Sequence, residues 1–350
     1  MNYQRYRKNP VVDFPERTWP NKEIEHAPIW CSVDLRDGNQ ALIEPMNVDE
    51  KMEMFELLLK LGFKEIEIGF PAASQIEFDF LRRLVDEKKI PDDVKVQVLS
   101  QCRQELIDRT YEAIRGIKNV VFHIYNSTST LQRDVVFNMS REEIIKIAVD
   151  GTRMVKEGLK GFDGNIQLEY SPESFSGTEV DFSADICNAV AREWDHATDA
   201  PIIFNLPNTV EMNTPNVYAD QVEWVSNHIE DRENTIISIH PHNDRGTGVA
   251  GTGLALSGTT INHSNSVTAG TIGQSSATSG ATLAVPYATY DAQGHITGKG
   301  THTHTVTGLS ADVMANQMGY LDCTPEPNST IIPFAWNDLY ALTERGGSVT

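Results

Sequence analysis

The residues best equipped for chemistry lie in "HPHNDRG", which starts at His240, and in "DLRDGNQ", which starts at Asp34. Residues two apart on an extended strand project to the same side, so His240 and His242 aim two imidazoles at one place. With the carboxylate of Asp37 they make a mixed nitrogen and oxygen set that suits Mg, Mn, Zn or Fe. An HxH pair alone is more often structural than metal-binding, and its position in the chain has to decide. Arg36 either stabilises negative charge on a substrate oxygen or forms an ion pair with Glu67 or Glu169. His123, in "FHIYNSTS", either binds or protonates a substrate or is a core histidine satisfied by backbone. Glu173, in "SPES", is either a base or substrate ligand or a solvated loop carboxylate.

Positioning these groups falls to a regular pattern. From Ile29 to about Pro241, short β-branched runs alternate with longer amphipathic stretches, as in βα units around a parallel sheet. Seven candidate strands are visible: "IWCSVD" at 29, "EIEIGF" at 65, "VKVQVLS" at 94, "NVVFHIY" at 119, "NIQLEY" at 165, "PIIFNL" at 201 and "TIISIHP" at 235. Between the first two, "NVDEKMEMFELLLKLG" has the apolar spacing and terminal glycine of a helix. Seven such units predict an α/β fold of the (β/α)8 TIM-barrel type. Polar residues cluster after each strand, where the loops of such a barrel form the catalytic face. In a closed eight-stranded ring the seventh strand lies one strand away from the first, which brings Asp37 within reach of the two histidines.

The chain carries 29 Lys+Arg against 49 Asp+Glu, a net charge of -20 that repels phosphate backbones and anionic membranes, so nucleic acid is not an expected partner. Four dispersed cysteines without a CxxC pair suggest neither a zinc cluster nor a disulfide framework. No stretch approaches the roughly 20 apolar residues of a membrane span, and the start lacks a signal-like apolar run; a cytoplasmic protein is expected. The composition breaks near Ala250. Residues 1–250 hold 27 basic and 43 acidic residues, whereas residues 251–290 hold none of either. The organisation expected is a barrel over 1–250, a Gly/Ser/Thr-rich β or irregular segment over 251–310, and an unassigned segment over 311–350 with one possible helix.

Several long motifs in order, "DLRDGNQAL", "GFPAASQ", "FHIYNSTS", "LEYSPESF", "FNLPNTVEM" and "HPHNDRG", resemble the long-form 2-isopropylmalate synthases. These belong to a metal-dependent barrel family with the homocitrate and citramalate synthases, and the similarity runs from about Tyr6 to about Ala250. The resemblance implies a Claisen condensation of acetyl-CoA with 2-oxoisovalerate, a step of leucine biosynthesis, assisted by a divalent cation, Mg or Mn before Zn. It further implies Asp37, His240 and His242 as metal ligands, with Arg36 near the keto oxygen. His123, Ser171 and Thr209 would line the substrate pocket, and Glu173 would assist proton abstraction.

The sequence then departs from that family. After "HPHNDRG" the family continues with a helix, an eighth strand and a loop whose asparagine is a further metal ligand, and none of these is visible, so the barrel reads as truncated after its seventh strand. The family is homodimeric, and the later regions that build the dimer and the leucine response are not recognisable. Instead "GLALSGTTINHSNSVTAGT" and "ATYDAQGHITGKGTHTHTV" resemble repeats of phage tail-fibre-like proteins, in which HxH pairs such as His302 and His304 can hold a metal. Three readings follow: a synthase by ancestry, a fibre-like structural protein carrying a barrel fragment, and an inactive chimera. Within the first, citramalate or homocitrate synthesis is the alternative. A hairpin such as "ATLAVPYATY" is a candidate for the missing strand's place.

Overall fold

The alternation of strand and helix seen in the sequence is the alternation of the fold. In the computed structural model the strands are β1 (Ile29–Ser32), β2 (Glu65–Gly69), β3 (Lys95–Gln101), β4 (Asn119–Ser127), β5 (Asn165–Glu173), β6 (Ile202–Pro207) and β7 (Thr235–His240). The helices between them are α1 (Val48–Leu61), α2 (Gln75–Asp86), α3 (Gln104–Ile114), α4 (Arg141–Gly158), α5 (Val180–Trp194) and α6 (Pro215–Asn227). The structure describes residues 12–22, 28–242 and 244, together with the further strands named below.

Local chemistry sets the helix ends. Asn47 and Glu50 form a reciprocal capping box at the start of α1, and Gly62, at φ 93°, closes it in the left-handed conformation that an L side chain resists. Ser140 and Glu143 repeat the capping box on α4. Along each strand, alternate residues take opposite faces. Ile66, Ile68, Val96, Val98, Phe122, Ile124, Leu168 and Tyr170 join Phe55, Leu58, Phe80, Leu84, Ile107 and Phe182 of the helices in one continuous core. Each such fully buried side chain contributes about 1.5–3 kcal/mol. The other alternation points into the barrel, where Cys31, Val121, Ile203 and Ile236 form a small separate apolar cluster. Beside that cluster stand buried polar groups: Glu65, Glu67, Gln97, His123 and Glu169.

Strands β1 to β7 pair in parallel in sequence order, and among the described residues no further βα unit follows β7. The place between β7 and β1 is taken by a short strand from far downstream, β13 (Ile331–Phe334). It runs parallel to both neighbours, with Ile29 opposite Ile331, Ser32 opposite Phe334, and Ile331 opposite Ser238. This corrects the expectation that "ATLAVPYATY" would fill the gap. That segment is β11 (Thr282–Tyr290), which pairs antiparallel with β12 (Ile296–Thr305) along its length and with β10 (Gly270–Ile272) at Ala288–Tyr290. It is committed to an antiparallel sheet, while the gap in the barrel takes a parallel strand. Strands β8 (Leu254–Ser257) and β9 (Thr260–His263) form a separate antiparallel pair. His302 and His304 fall on β12, and their side chains lie outside the described residues, as does the helix expected near the C-terminus. The chain divides into two compact units, residues 1–248 with 323–336, and residues 249–322 with 337–350. Among the described residues no helix is long and apolar enough to cross a membrane.

Candidate active site

The stretch "DLRDG" after β1 folds as a π-helical turn over Asp34–Gly38, in which the Gly38 N–H donates to the Val33 carbonyl at 3.1 Å. From this turn Arg36 reaches across to β2, where its Nε donates to Glu67 Oε2 at 2.8 Å and its Nη2 lies 2.7 Å from the same oxygen. Its Nη1 meets Asp37 Oδ1. The ion pair with Glu67 weighed for Arg36 is present, and the guanidinium still lines the cavity described below.

Asp37 turns its other oxygen to the end of β7, with Oδ2 2.9 Å from His240 Nε2. The ring of His242 lies 4.4 Å from that of His240, centre to centre. One ligand atom from each of Asp37, His240 and His242 falls within 4.8 Å of the others. The route to this arrangement differs from strand alternation. β7 ends at His240, and His242 sits beyond it at φ 60°, a conformation that costs a non-glycine residue about 1–3 kcal/mol and marks a site held in place by its surroundings.

The electrostatics of Asp37 and His242 agree with a cation site. Burial opposes ionisation of Asp37, but the Arg36 guanidinium and then His240 hold its carboxyl well below the usual range. Burial, and then the neighbouring His240, lower His242 to about 4, so its imidazole is neutral and keeps a lone pair to offer. An anionic carboxylate and a neutral imidazole are the forms that bind a divalent metal, and the donor set fits one.

Beneath this cluster lies a buried polar network. His123 Nδ1 is 3.0 Å from Glu67 Oε1, 3.6 Å from Glu169 Oε1 and 3.2 Å from Gln97 Nε2, while its Nε2 is 2.7 Å from Ser171 Oγ. His123 is therefore satisfied by side chains, not by backbone. Burial works against Glu67 as an anion, yet Arg36 and the His123 hydrogen bond bring its carboxyl down to about 2. Glu169 goes the other way, raised to about 7 by burial, with Glu67 and Glu65 adding to the rise against the pull of His123.

At the rim, Glu173 Oε2 accepts from the Ser127 hydroxyl. The loop after β6 is pinned by the Asn208 N–H, which donates to the His240 carbonyl at 2.9 Å, and by two consecutive left-handed residues, Val210 and Glu211. Thr209, on this loop, has a buried Oγ1 without a hydrogen-bond partner among the described residues. A polar atom of this kind is rarely left so unless water, an ion or a ligand serves it.

Arg36, Asp37, His123, Ser171, Glu173, Thr209, His240 and His242 all line one cavity of roughly 230 Å³. Gln40, Phe70, Leu99, Tyr125, Asn205 and Pro207 complete its wall and were not singled out in the sequence. The signal for two of them was available: Tyr125 continues the alternation of Val121 and His123 along β4, and Asn205 that of Ile203 along β6.

The HMGL-like family matches residues 27–268. The chain belongs to this family. Its relatives include a 2-isopropylmalate synthase of Acetoanaerobium sticklandii, 56% identical over 257 residues, or 73% of this chain and 45% of the relative. Another, from Agrobacterium fabrum, is 57% identical over 252 residues, 72% of this chain and 45% of the relative. The chain thus spans less than half the length of these curated relatives. Among solved structures, a hydroxymethylglutaryl-CoA lyase from Pseudomonas aeruginosa aligns with 64% of the chain at 17% identity and a TM-score of 0.47. The HMGL-like family is metal-dependent, and Asp37, His240 and His242 form a group that could hold a cation.

Proposed function

We propose that the chain carries the catalytic barrel of a cytoplasmic 2-isopropylmalate synthase, joining the methyl carbon of acetyl-CoA to the keto carbon of 2-oxoisovalerate and hydrolysing the thioester. The observation that carries this reading is the convergence of Asp37, His240 and His242 with the Arg36 guanidinium at the mouth of a cavity also lined by Glu173. It draws support from relatives that bear this name at 56–57% identity.

Asp37, His240 and His242 would hold a divalent cation, Mg or Mn, which when bound would supply Lewis-acid polarisation of the oxo acid. The remaining work belongs to side chains. Arg36, locked by Glu67, holds a fixed positive charge where the keto oxygen becomes an alkoxide, and a charge that need not reorient at that moment is the more effective one. Glu173 has Oε2 occupied by Ser127, which leaves Oε1 to take the methyl proton of acetyl-CoA. The new carbon–carbon bond forms as the keto oxygen gains a proton, and water then releases coenzyme A as the free thiol. Ser171, held by His123, and Thr209, with its unserved hydroxyl, anchor the oxo acid's carboxylate. Selection among oxo acids rests on pocket shape, where one methylene is worth about 1–3 kcal/mol, and the homologous citramalate and homocitrate reactions are the competitors to test.

The deciding experiment is thiol release from acetyl-CoA with 2-oxoisovalerate and Mn or Mg, using Asp37→Ala as control. Turnover that requires metal and Asp37 supports the assignment. A folded protein that binds Mn but releases no thiol with 2-oxoisovalerate overturns it.

A further inference from the structure

The polar network under the cavity contains groups that the condensation does not use, and their geometry fixes a hydrogen-bond direction. We infer that Glu169 and Asn205 are positioning residues that, through His123, determine whether Ser171 presents a hydrogen-bond donor or an acceptor to the cavity. This rests on the proposed reading only in naming the ligand there as the carboxylate of a 2-oxo acid.

The argument is an account of one hydroxyl. Ser171 has one hydrogen and two lone pairs. Asn205 Nδ2 donates to its oxygen at 2.9 Å, and Asn205 Oδ1 accepts from the Ser238 hydroxyl at 3.0 Å. With the amide in this orientation one lone pair is taken. The second partner is His123 Nε2 at 2.7 Å. When the imidazole is charged, its Nε2–H donates to Ser171, both lone pairs are filled, and the serine hydrogen is left for the cavity. When the imidazole is neutral, the Glu67 carboxylate at 3.0 Å, closer than the Gln97 amide at 3.2 Å, keeps the remaining proton on Nδ1, so Ser171 must donate to Nε2 and the cavity meets a lone pair. Only the first state suits a carboxylate ligand.

The charge on His123 is decided below it. Nδ1 faces Glu67 at 3.0 Å and Glu169 at 3.6 Å. Glu67 is committed to Arg36 and stays ionised, so it does not vary. Glu169 is uncommitted: it is 1% exposed, and its Oε2 has no hydrogen-bond partner among the described residues. The other charged or titratable groups around it are Glu65, Arg36 and, near Glu65, Cys31 and Lys95. Burial pulls His123 toward neutrality, but Glu169 and the hydrogen bond to Glu67 outweigh it and raise its affinity for a proton. A proton held between Glu169 and His123 thus sets the face that Ser171 shows to a ligand two bonds away.

The test is ring-resonance NMR of the histidines in the full chain, with the His123 signal assigned by its loss in His123→Gln, for wild type and Glu169→Gln. The His123 midpoint is expected to fall by about one pH unit or more in Glu169→Gln, the size of shift that an adjacent carboxylate produces. Binding of 2-oxoisovalerate, followed by calorimetry, is expected to weaken with rising pH and to do so at a correspondingly lower pH in the variant. An unmoved midpoint in a folded variant overturns the inference. Should Glu169→Gln fail to fold, wild type decides: a His123 midpoint above the ordinary value of about 6.5 supports the inference, and one at or below it refutes it. The shift without thiol release sinks only the proposed activity, and thiol release with His123 unmoved sinks only this inference.

Discussion

The barrel interior holds two neighbouring regions built from the same strands. Val121, Ile203 and Ile236 close with Cys31 into an apolar cluster, and two residues further along the same strands stand His123, Asn205 and Ser238. One step of the strand period converts packing into polar chemistry. The lesson is that the two regions share a backbone but should fail differently: the first is expected to lose stability when cut, and the second to lose binding or proton placement.

That contrast yields its largest expected effect at the mouth. Asp37→Ala should lower thiol release by at least about 10²–10³-fold and abolish tight Mn binding by calorimetry, while its thermal unfolding stays close to wild type because Arg36 keeps Glu67. The opposite signature belongs to Ile203→Ala. A cavity in the apolar cluster should cost about 2–5 kcal/mol in urea unfolding yet leave Mn affinity unchanged in the folded fraction. If both variants lose metal and stability together, the two regions are one cooperative unit and the contrast is broken.

Stability against pH sharpens it further. Glu67 sits at about 2 in the fold against 4.5 ordinarily, so its contribution is present above 4.5 and is lost as pH falls toward 2. Glu169 is raised from 4.5 to about 7, so the fold keeps a proton that the unfolded chain has released, and stability declines as pH rises from 4.5 through 7. Denaturant midpoints should therefore fall on both sides of a mildly acidic optimum, and Glu169→Gln should flatten only the alkaline limb. The smallest effect expected lies outside both regions, at the α1 capping box, where Asn47→Ala should cost about 1 kcal/mol in unfolding without altering metal binding.

Much of this was legible in the residues. The seven strands announced themselves because buried parallel strands are short β-branched runs, and Asp37 and His240 were legible because barrel chemistry sits where strands end. His242 was named for a reason the fold does not use, since its place depends on a left-handed turn that strand alternation does not describe. Asn205 and Gln97 went unremarked because a lone amide in an apolar run carries no chemical signature until its partners are known. The strand closing the ring was illegible for a topological reason: "IIPF" is four residues long, and nothing local links it to a partner some three hundred positions earlier.

That last pairing has a consequence in time. Ile29 meets Ile331, so the sheet cannot become a ring until Ile331 has been made. At the usual pace of about 5–20 residues per second, the 91 positions from His240 to Ile331 take the ribosome about 5–20 s, during which β1 and β7 each present an open edge. Exposed edges of that kind invite pairing with other chains. The yield of folded protein should therefore depend on translation speed and on chaperones that shield nascent chains, more than for a barrel whose eighth strand follows directly on its seventh.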